Sequence, residues 1–557
     1  MKKLALLLVV ALVLPLFAAF AEGGDLSEPG VLPIWTGSEP AVIRVLTPEN
    51  AKVIWEDNEY TKWIEESCNV KLEFSFLPAT DTAAKFAAMV AADELKDFDV
   101  INYQLSLTNA KMYADQGAIR DVSDFFAEGL AVNCDAAVAK HPEQYLISSI
   151  TTAEGEIFGV PKIQIAPQNE TKYKMWINQG WLDNLGLELP TTIDEFYEML
   201  VAFRDEDANG NGDTADEIPF ITSTGFGGTA TKFLTNAFVF EGDNDMFLLV
   251  DGEVSVSYIQ DGWFEACDFL KKLCDEGLLA KDSFTYNNDA LKAVACVEED
   301  LVGVVTNSSC AFMGVATDPI RLRYVPIAPL TGPEGVCYSA YAASATQTCW
   351  MVTPWANNPE LCFRVGDFQF TEEGYLRGRY GIEPDNWMYV DDYMALYPNV
   401  TLELLIAGDH EKKYVMWNDI RDQTVNNLYW YEHMPYYAGD VDFENCYVAD
   451  DGEGNVTNFE NNATVRQNTI TGYYQAVKPG ADVYVPALAY STEELAVLAE
   501  YQTTIRTYVN EQRTKYIIGD ESDLADRDLF MKQLYESFGL QEILDIANAA
   551  YARQYAK

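Results

Sequence analysis

Apolar residues recur along the first part of the chain with the spacings of alternating strands and helices. The strands show continuous or period-two apolar patterns, and the helices have apolar residues three and four positions apart. In order, the segments are the strand AVIRVLTP, the helix NEYTKWIEESCNV, the strand VKLEFSFLP, the helix TDTAAKFAAMVAADELK and the strand FDVINYQ. This alternation predicts a mainly parallel sheet with crossover helices.

A second series of strands and helices follows in the middle of the chain. One of its helices begins at a capping box formed by Thr192 and Glu195. The chain then ends in helices, the longest of which begins at another capping box, Ser491 and Glu494, and stops at Gly519. The pattern therefore predicts two α/β regions followed by a helical C-terminal part.

The strand order also predicts where a ligand binds. In open α/β sheets, ligands bind beyond the carboxyl ends of the parallel strands. Trp55 follows the first predicted strand, and Tyr103 and Gln104 stand at the end of the third. We therefore expect these three residues to share one functional edge.

The composition indicates a soluble globular protein of two or three domains. The chain has 557 residues, of which 48% are hydrophobic and 22% charged, and its formal net charge is −50. This excess of carboxylates argues against binding to nucleic acid, whose phosphates require Lys and Arg, and against docking on anionic lipid. We interpret it mainly as a solvated surface.

The N-terminal segment has the order of a secretory signal peptide, residues 1–21. Lys2 and Lys3 precede an apolar run, and Ala19-Phe20-Ala21 forms a small-residue cleavage site. We expect export to the periplasm or the medium with cleavage after Ala21, although a retained N-terminal anchor fits the same pattern. A lipid anchor is not expected, because no Cys precedes Cys68.

Ten cysteines are scattered along the chain without a Cys-x-x-Cys pair. In an exported protein they are candidates for disulfides. Several lie on apolar helix faces, however, where buried free thiols act as small hydrophobic groups. The sequence leaves both interpretations open.

A crowded acidic loop, DEDANGNGDTADE, follows the helix that begins at the first capping box. Calcium prefers six to eight oxygen ligands on a tightly turning chain. With EF-hand spacing, the ligands are Asp205, Asp207, Asn209, Asn211 through its carbonyl, Asp213 and Asp216, with Gly210 at the sharp turn. The alternative to a calcium site is a solvated Asn-Gly turn, in which the closely spaced carboxylates would repel one another.

Five segments, in order, resemble the extracellular solute-binding proteins of bacterial ABC importers, in the large branch with oligosaccharide- and alginate-binding members. They are NEYTKWIEESCNVKLEFSFLP, YADQGAIRDVSDFF, MWINQGWLDNLGLELPTTIDEFYEML with the acidic loop, NPELCFRVGDFQFTEEGYLRGRYGIEPDNW, and the tail from YVNEQRTKYIIGD onward. The resemblance spans nearly all of the chain after the signal segment. The sequence departs from the family in lacking a lipidated cysteine and in having Pro384 where the family usually has Gly.

The resemblance implies a type II periplasmic-binding-protein-like α/β fold, with two α/β lobes, a ligand cleft between them and hinge crossings. On this basis we expect lobe I to comprise 40–162 and 325–380, and lobe II 163–324 and 381–557. It also implies a monomer that binds a solute without catalysis. Such a monomer delivers its solute to the membrane permease subunits of an ABC transporter.

For the acidic loop, the resemblance implies a slightly different ligand set. The family pattern, DxNxNG…DE, selects Asp207, Asn209, Asn211, a carbonyl near Asp213, Asp216 and Glu217. We favour this spacing, because Asp216 and Glu217 lead straight into the strand IPF as they do in relatives. The expected ion is a structural Ca²⁺ that ties a helix end to a strand of lobe II.

The positions of the aromatic residues predict the class of solute. Sugars present apolar ring faces and hydroxyl rims, which proteins bind with aromatic rings and polar side chains. Aromatic residues make up 13% of the chain. Besides the three edge residues, the candidates are Phe226 in a glycine-rich loop, Asn307 and Ser308 after the strand LVGVV, and Trp430, Tyr436 and Tyr437 in a run without regular pattern.

Two other classes of protein fit parts of the sequence. An exported glycoside hydrolase would share the aromatic residues and the calcium, but no segment resembles a hydrolase signature and the three histidines are widely separated. A receptor for peptides or another non-sugar solute would share the whole scaffold. We therefore predict a receptor that captures a carbohydrate, with an oligosaccharide as the expected solute.

Overall fold

A computed structural model of the chain describes most of its residues. The described residues are 26–51, 53–140, 146–163, 167–242, 246–314, 318–342, 346–398, 413–416, 430, 432–438, 445–447, 463–488 and 490–555. The predicted signal peptide, 1–21, lies outside them. No described helix combines the length and the apolar character that crossing a bilayer requires.

The described strands are short and fall into four sheets. In chain order they are β1 (Ala41–Pro48), β2 (Val70–Leu77), β3 (Val100–Leu105), β4 (Val160–Ile163), β5 (Met175–Asn178), β6 (Ile218–Ile221), β7 (Phe247–Val250), β8 (Glu253–Val256), β9 (Val302–Thr306), β10 (Tyr324–Pro326), β11 (Thr346–Val352), β12 (Trp387–Tyr389), β13 (Tyr414–Met416), β14 (Tyr436–Tyr437) and β15 (Asn445–Tyr447).

The described α-helices surround these sheets. In chain order they are α1 (Glu59–Cys68), α2 (Thr82–Ala91), α3 (Leu107–Asp115), α4 (Ser123–Ala127), α5 (Val132–Val138), α6 (Pro167–Glu170), α7 (Gln179–Leu185), α8 (Ile193–Asp205), α9 (Ala230–Thr235), α10 (Asp261–Asp275), α11 (Asn288–Ala295), α12 (Pro359–Phe368), α13 (Glu372–Tyr380), α14 (Val390–Leu396), α15 (Ala463–Ala476), α16 (Thr492–Ile518), α17 (Arg527–Glu536) and α18 (Leu540–Gln554).

The first lobe is built on a six-stranded sheet with the order β14-β4-β11-β3-β1-β2. As predicted, β1 pairs in parallel with both β2 and β3, while β11 runs antiparallel between β3 and β4. Strand β1 is buried on both faces. Val45 packs in one core with Ile64 of α1, and Leu46 packs in another with Phe86 of α2. Burial on both faces explains the continuous apolar run of this strand.

The second lobe is built on a four-stranded sheet with the order β10-β5-β9-β6. Strands β6 and β9 are parallel, and β5 and β10 are antiparallel to their neighbours. Helix α8 begins at the predicted capping box, in which Thr192 Oγ1 accepts from the Glu195 N–H and the Glu195 carboxylate accepts from the Thr192 N–H. Its buried face, with Phe196 and Phe203, packs in the core of this lobe.

The described strands require the chain to pass between the two sheets after β4 and between β10 and β11, and α15, whose Tyr474 packs in the core of the second lobe, shows a return after β14. These passages correspond to the expected hinge crossings. The strand pairing differs from the predicted lobe division at two points. Strand β10 lies in the second sheet, although 325–380 was expected in lobe I, and β14 pairs with β4 of the first sheet, although 381–557 was expected in lobe II. Strands of two or three residues are too short to show a period.

The C-terminal helices pack on the second lobe, as the sequence predicts. Helix α16 begins at the capping box of Ser491 and Glu494 and ends at Gly519, whose φ of +87° is left-handed. Val509 of this helix and Phe530 of α17 pack in one core with Trp263 of α10. The second lobe is therefore extended by a helical layer.

Candidate functional site

The carboxyl ends of β1 and β3 meet the beginning of β11 at one edge of the six-stranded sheet. Several side-chain atoms at this edge are buried without a hydrogen-bond partner among the described residues. They are Nε1 of Trp55, Nδ2 of Asn102 and Oγ1 of Thr346 and of Thr348. Proteins rarely leave buried polar atoms unpaired, so this edge is a candidate site for a polar ligand. No sequence pattern singles out the asparagine or the two threonines.

Trp55 and Trp430, which we expected to face a ligand, are core residues. They are 2% and 0% exposed, and their ring centroids lie 5.1 Å apart at an interplanar angle of 64°. Trp430 Nε1 donates to Thr61 Oγ1 at 3.1 Å. The expectation that these two rings lie open to a cleft is therefore wrong, because α1 and β2 supply enough apolar surface to enclose them, and Trp55 contributes to the sheet edge only through its unpaired Nε1.

His433 lies beside the same sheet edge. Its Nε2 is 3.3 Å from Asn50 Nδ2, and its ring packs edge-on against Trp55 with centroids 5.5 Å apart. Burial lowers the pKa of His433 to about 4, so the imidazole is neutral near pH 7. The sequence gives no signal for this position, because it depends on the short strand β14 that follows.

Tyr103 and Gln104 lie where the sequence predicts, at the end of β3, and both are half-buried. The Tyr103 ring packs edge-on against Phe86 with centroids 5.5 Å apart. Gln104 donates through Nε2 to the main-chain carbonyl of Glu432. The structure thus brings both residues to the edge that also holds the neutral histidine.

Tyr436 and Tyr437 belong to a strand and not to an irregular segment. They form β14 and pair in parallel with Lys162 and Ile163 of β4. Both side chains are buried, and the Tyr436 ring packs against Tyr375 with centroids 5.1 Å apart. The expectation that these two rings lie outside regular structure is therefore wrong.

In the second lobe, the glycine-rich loop after β6 carries an exposed aromatic ring, as expected. Phe226 is 56% exposed, and Lys172 Nζ lies 4.9 Å from its ring centroid. The Ser308 N–H donates to the Phe226 carbonyl at 3.0 Å. Gly227 has a φ of +68°, and a Cβ at this position would lie 2.3 Å from the Lys172 carbonyl oxygen. Only glycine therefore lets the loop pass this close to its neighbour.

Asn307 and Ser308 follow β9 but have different surroundings. Asn307 is buried, its Nδ2 donates to Asn288 Oδ1 at 3.0 Å, and its carbonyl accepts from Trp176 Nε1 at 2.9 Å. It therefore holds the loop in place within the protein. Ser308 is half-buried and lies next to the exposed phenylalanine, so it is the better placed of the two for contact with a ligand.

A polar cavity of about 510 Å³ lies between the loop after β6 and helix α16. Thr224 lines it from the loop, Arg506 and Asn510 line it from the helix, and Tyr173 lines it from the segment before β5. The volume lies within the range of roughly 300–1,000 Å³ that is typical of small-ligand sites. The sequence gives no signal for this cavity, because its two walls are far apart along the chain.

The acidic loop between α8 and β6 folds its polar groups inward. N–H groups of the loop donate to side-chain oxygens of Asp207, Asn209, Asn211, Asp213, Asp216 and Glu217. Asp207 Oδ1 and Glu217 Oε2 are nevertheless buried without a hydrogen-bond partner among the described residues. Burial raises the pKa of Glu217, and the charge of Asp216 raises it further. Such unpaired buried oxygens fit a Ca²⁺ ion.

Asp205 belongs to the EF-hand ligand set for this loop but not to the family's set. Asp205 ends α8, and its carboxylate accepts from Arg204 Nε at 2.7 Å and from Nη2 at 2.9 Å. This arrangement favours the family's set over the EF-hand spacing that begins at Asp205. Within the described part of the chain, no three His, Cys, Asp or Glu side chains form a metal cluster.

Nine cysteines have described side chains, and all nine are free thiols. Most of them are buried, and burial raises the pKa of Cys349 to about 12, so this thiol stays protonated. The alternative of buried thiols therefore fits seven of these residues, while Cys296 and Cys337 are half-buried free thiols. The side chain of Cys446 lies outside the described part of the structure.

No family model matches the chain. Among curated proteins, it is similar to the fructooligosaccharide ABC transporter substrate-binding protein FusA of Streptococcus pneumoniae. The two chains are 26% identical over 559 aligned positions, which cover 95% of this chain and 92% of FusA. The similarity therefore extends over nearly the full length of both proteins.

Solved structures show the same fold. An extracellular solute-binding protein from Bifidobacterium longum subsp. infantis superposes with a TM-score of 0.72 at 21% identity, covering 92% of this chain and 98% of that one. An EF-hand mutant of FusA from S. pneumoniae with fructo-nystose gives 0.69 at 21% identity, covering 92% and 99%. The alginate-binding protein AlgQ2 without calcium ion gives 0.61 at 20% identity, covering 94% and 100%.

These similarities define the class. The fold is the type II α/β fold of solute-binding proteins, and the resemblance to the solute-binding proteins of ABC importers is confirmed. One curated protein that the chain matches along nearly its whole length is FusA.

Proposed function

We propose that the protein captures an oligosaccharide between its two lobes and delivers it unchanged to the permease subunits of an ABC transporter. The observation that carries this proposal is the similarity to FusA over 95% of the chain, on a fold in which the chain passes repeatedly between two sheets. Domain closure around a ligand is a common motion of such two-lobed proteins.

The proposed contacts come from both sheet edges. Lobe I contributes the half-buried Tyr103 and Gln104 and the unpaired hydroxyl groups of Thr346 and Thr348. Lobe II contributes the exposed ring of Phe226, with Ser308 beside it. An aromatic ring can pack on the apolar face of a sugar, while amide and hydroxyl groups bind its rim.

Binding without chemistry is part of the proposal. Hydrolysis of a glycosidic bond requires two carboxyl groups that flank the bond at defined distances. The contact residues proposed on the two lobes are aromatic, amide and hydroxyl side chains. The proteins to which the chain is similar are likewise binding proteins.

We further infer a structural Ca²⁺ in the acidic loop and a location outside the cytoplasm. Asp207, Asn209, Asn211, Asp216 and Glu217 would hold the ion, which would neutralise carboxylates that otherwise repel one another. The two unpaired buried oxygens in the loop support this inference. The signal-like segment 1–21 supports export as a periplasmic or secreted protein.

A binding assay with product analysis tests the proposed function. The chain without residues 1–21 is titrated by calorimetry with fructo-, galacto- and xylo-oligosaccharides and with a peptide panel. The glycans are recovered and analysed by chromatography. We expect saturable binding of a glycan in a ratio of one to one and recovery of that glycan intact. Catalytic shortening of the glycan would assign a hydrolase, and binding of peptides alone would assign a non-sugar receptor.

A further inference from the structure

The cavity between the glycine-rich loop and α16 has a charge opposite to that of the whole chain. The chain carries a net charge of −50, yet the fourteen residues that line the cavity include three basic residues and no acidic one. The basic residues are Lys232, Arg506 and Arg513. A cavity without carboxylates in so acidic a protein indicates that its contents are anionic.

One buried carboxylate behind the cavity wall balances only part of this positive charge. Lys232 Nζ lies 2.8 Å from Glu241 Oε1, and Arg513 Nη1 lies 2.9 Å from Glu241 Oε2. Two cations therefore share one anion, and the cluster keeps a positive charge. Trp263 Nε1 also donates to this carboxylate at 2.8 Å, which fixes it in place.

Arg506 adds a third cation, on the same helix α16 that carries Arg513. It is half-buried, and its guanidinium makes no hydrogen bond or ion pair with any residue in the described ranges. The planar guanidinium can bind a carboxylate through two parallel hydrogen bonds. An arginine that faces a cavity in this way is available to a ligand.

A second observation points to a polar ligand in the same cavity. Seven of the fourteen lining residues are serine or threonine. One of them, Thr231, is only 3% exposed, and its Oγ1 has no hydrogen-bond partner among the described residues. Hydroxyl-rich walls suit the rim of a sugar ring, and a buried hydroxyl without a partner is costly unless a ligand pairs with it.

We propose that this cavity binds an anionic sugar unit of the solute, with Arg506 receiving its carboxylate. Thr224 lines the cavity two positions before Phe226 on the same loop. A saccharide that packs one ring on Phe226 therefore extends its next unit into the cavity. The proposal rests on the proposed receptor function and adds to it the chemical class of the solute, an acidic oligosaccharide.

The test compares matched acidic and neutral saccharides. The chain without residues 1–21 is titrated with trimers of galacturonate, mannuronate and glucuronate, and with the same trimers after reduction of each carboxylate to an alcohol. We expect an acidic trimer to bind about ten- to a hundredfold more tightly than its reduced form, as the loss of one charge-assisted hydrogen-bonded pair implies. Equal affinity within every pair, or no binding of any acidic trimer, overturns the proposal.

Substitutions on helix α16 test whether Arg506 causes the preference for acidic trimers. Arg506→Gln should reduce the affinity for the acidic trimer to that for its neutral counterpart, and Arg506→Lys should restore part of the difference. Lys515→Gln is the matched control, because Lys515 stands on α16 outside the cavity and pairs with Glu511. An unchanged acidic preference in Arg506→Gln overturns the proposal.

Additional ligands distinguish this proposal from a general anion site and from the receptor function alone. Binding of inorganic phosphate or free galacturonate as tight as that of the trimer would indicate an anion site alone and would overturn the saccharide assignment. If neutral glycans bind and no acidic trimer does, this inference fails while the receptor function stands. If no glycan of either kind binds, both fail.

Discussion

Arg513 donates through Nη1 to both carboxylate oxygens of Glu241, at 3.0 Å and 2.9 Å, although the two residues are 272 positions apart. The arginine stands on α16, and the glutamate follows α9 in the second lobe. Both side chains are almost fully buried. This contact attaches the C-terminal helical layer to the lobe.

Replacement of Glu241 by Gln should therefore destabilise the protein severely. The substitution leaves Lys232 and Arg513 buried without a counter-charge, which typically costs about 3–5 kcal/mol. Urea denaturation at pH 7 measures the free energy of unfolding. Glu511→Gln is the control, because its partner Lys515 is exposed and a surface pair contributes about 0–1 kcal/mol. Equal losses in both variants would contradict the interpretation.

The same carboxylate should make the protein sensitive to acid. Burial alone would raise the pKa of Glu241, but the charges of Arg513 and Lys232 outweigh it and lower that pKa to about 2. The unfolded glutamate titrates near pH 4.3, roughly its free value. Between these values the unfolded state binds more protons, so stability falls as the pH decreases. The difference in unfolding free energy between the wild type and Glu241→Gln should therefore shrink from pH 5 towards pH 2.

Calcium removal should lower the melting temperature. If the loop holds Ca²⁺, saturation at a hundred times the dissociation constant stabilises the fold by about 2.7 kcal/mol. Scanning calorimetry with and without EGTA measures the shift, which should be several degrees. Asp216→Asn should abolish the response to EGTA, whereas Asp205→Asn should retain it, because Asp205 pairs with Arg204. If Asp205→Asn lost the response to EGTA instead, the EF-hand ligand set that begins at Asp205 would be the correct one.

Phe226→Ala should weaken solute binding without affecting stability. The ring is 56% exposed, so its removal leaves no cavity in the core. Loss of one aromatic contact with a sugar should raise the dissociation constant about tenfold, since such contacts contribute roughly 1–3 kcal/mol. Calorimetric titration measures this. Tyr535→Ala, at an exposed aromatic position of α17, should leave the affinity unchanged. A wild-type affinity for Phe226→Ala would remove this residue from the site.

The sequence predicts those parts of the fold that local pattern determines. The strand β1, both capping boxes and the exposed loop at Phe226 follow from period, hydrogen-bonding residues and glycine content, all of which act over a few positions. Local pattern does not predict the strand β14, because Tyr436 and Tyr437 become a strand only by pairing with β4, which is far away in the sequence. The burial of Trp55 also depends on distant partners.

Of the candidate site, the sequence predicts residues that follow long strands or lie in a distinctive loop. Tyr103 and the acidic loop are examples. It gives no signal for Thr348, whose place at the sheet edge depends on the antiparallel pairing of β11 with β3. Arg506 is likewise one charged position of a long helix until the fold places it against the loop after β6.

Trp430→Ala distinguishes a core role from a ligand-binding role for this residue. The Trp430 ring contacts Trp55 and Tyr60 with centroids 5.1 and 5.2 Å apart, and its Nε1 donates to Thr61. Removal of a buried tryptophan typically costs about 3–5 kcal/mol, because a cavity remains. We therefore expect a large loss in the free energy of unfolding, measured by urea denaturation.

Trp35→Ala provides the comparison, because Trp35 is only partly buried and its Nε1 donates to the Glu39 carbonyl near the N-terminus of the described chain. Trp35→Ala should lower the free energy of unfolding by less than Trp430→Ala does. If Trp430→Ala kept the stability of the wild type and lost affinity for the solute, the ring would be a binding platform after all.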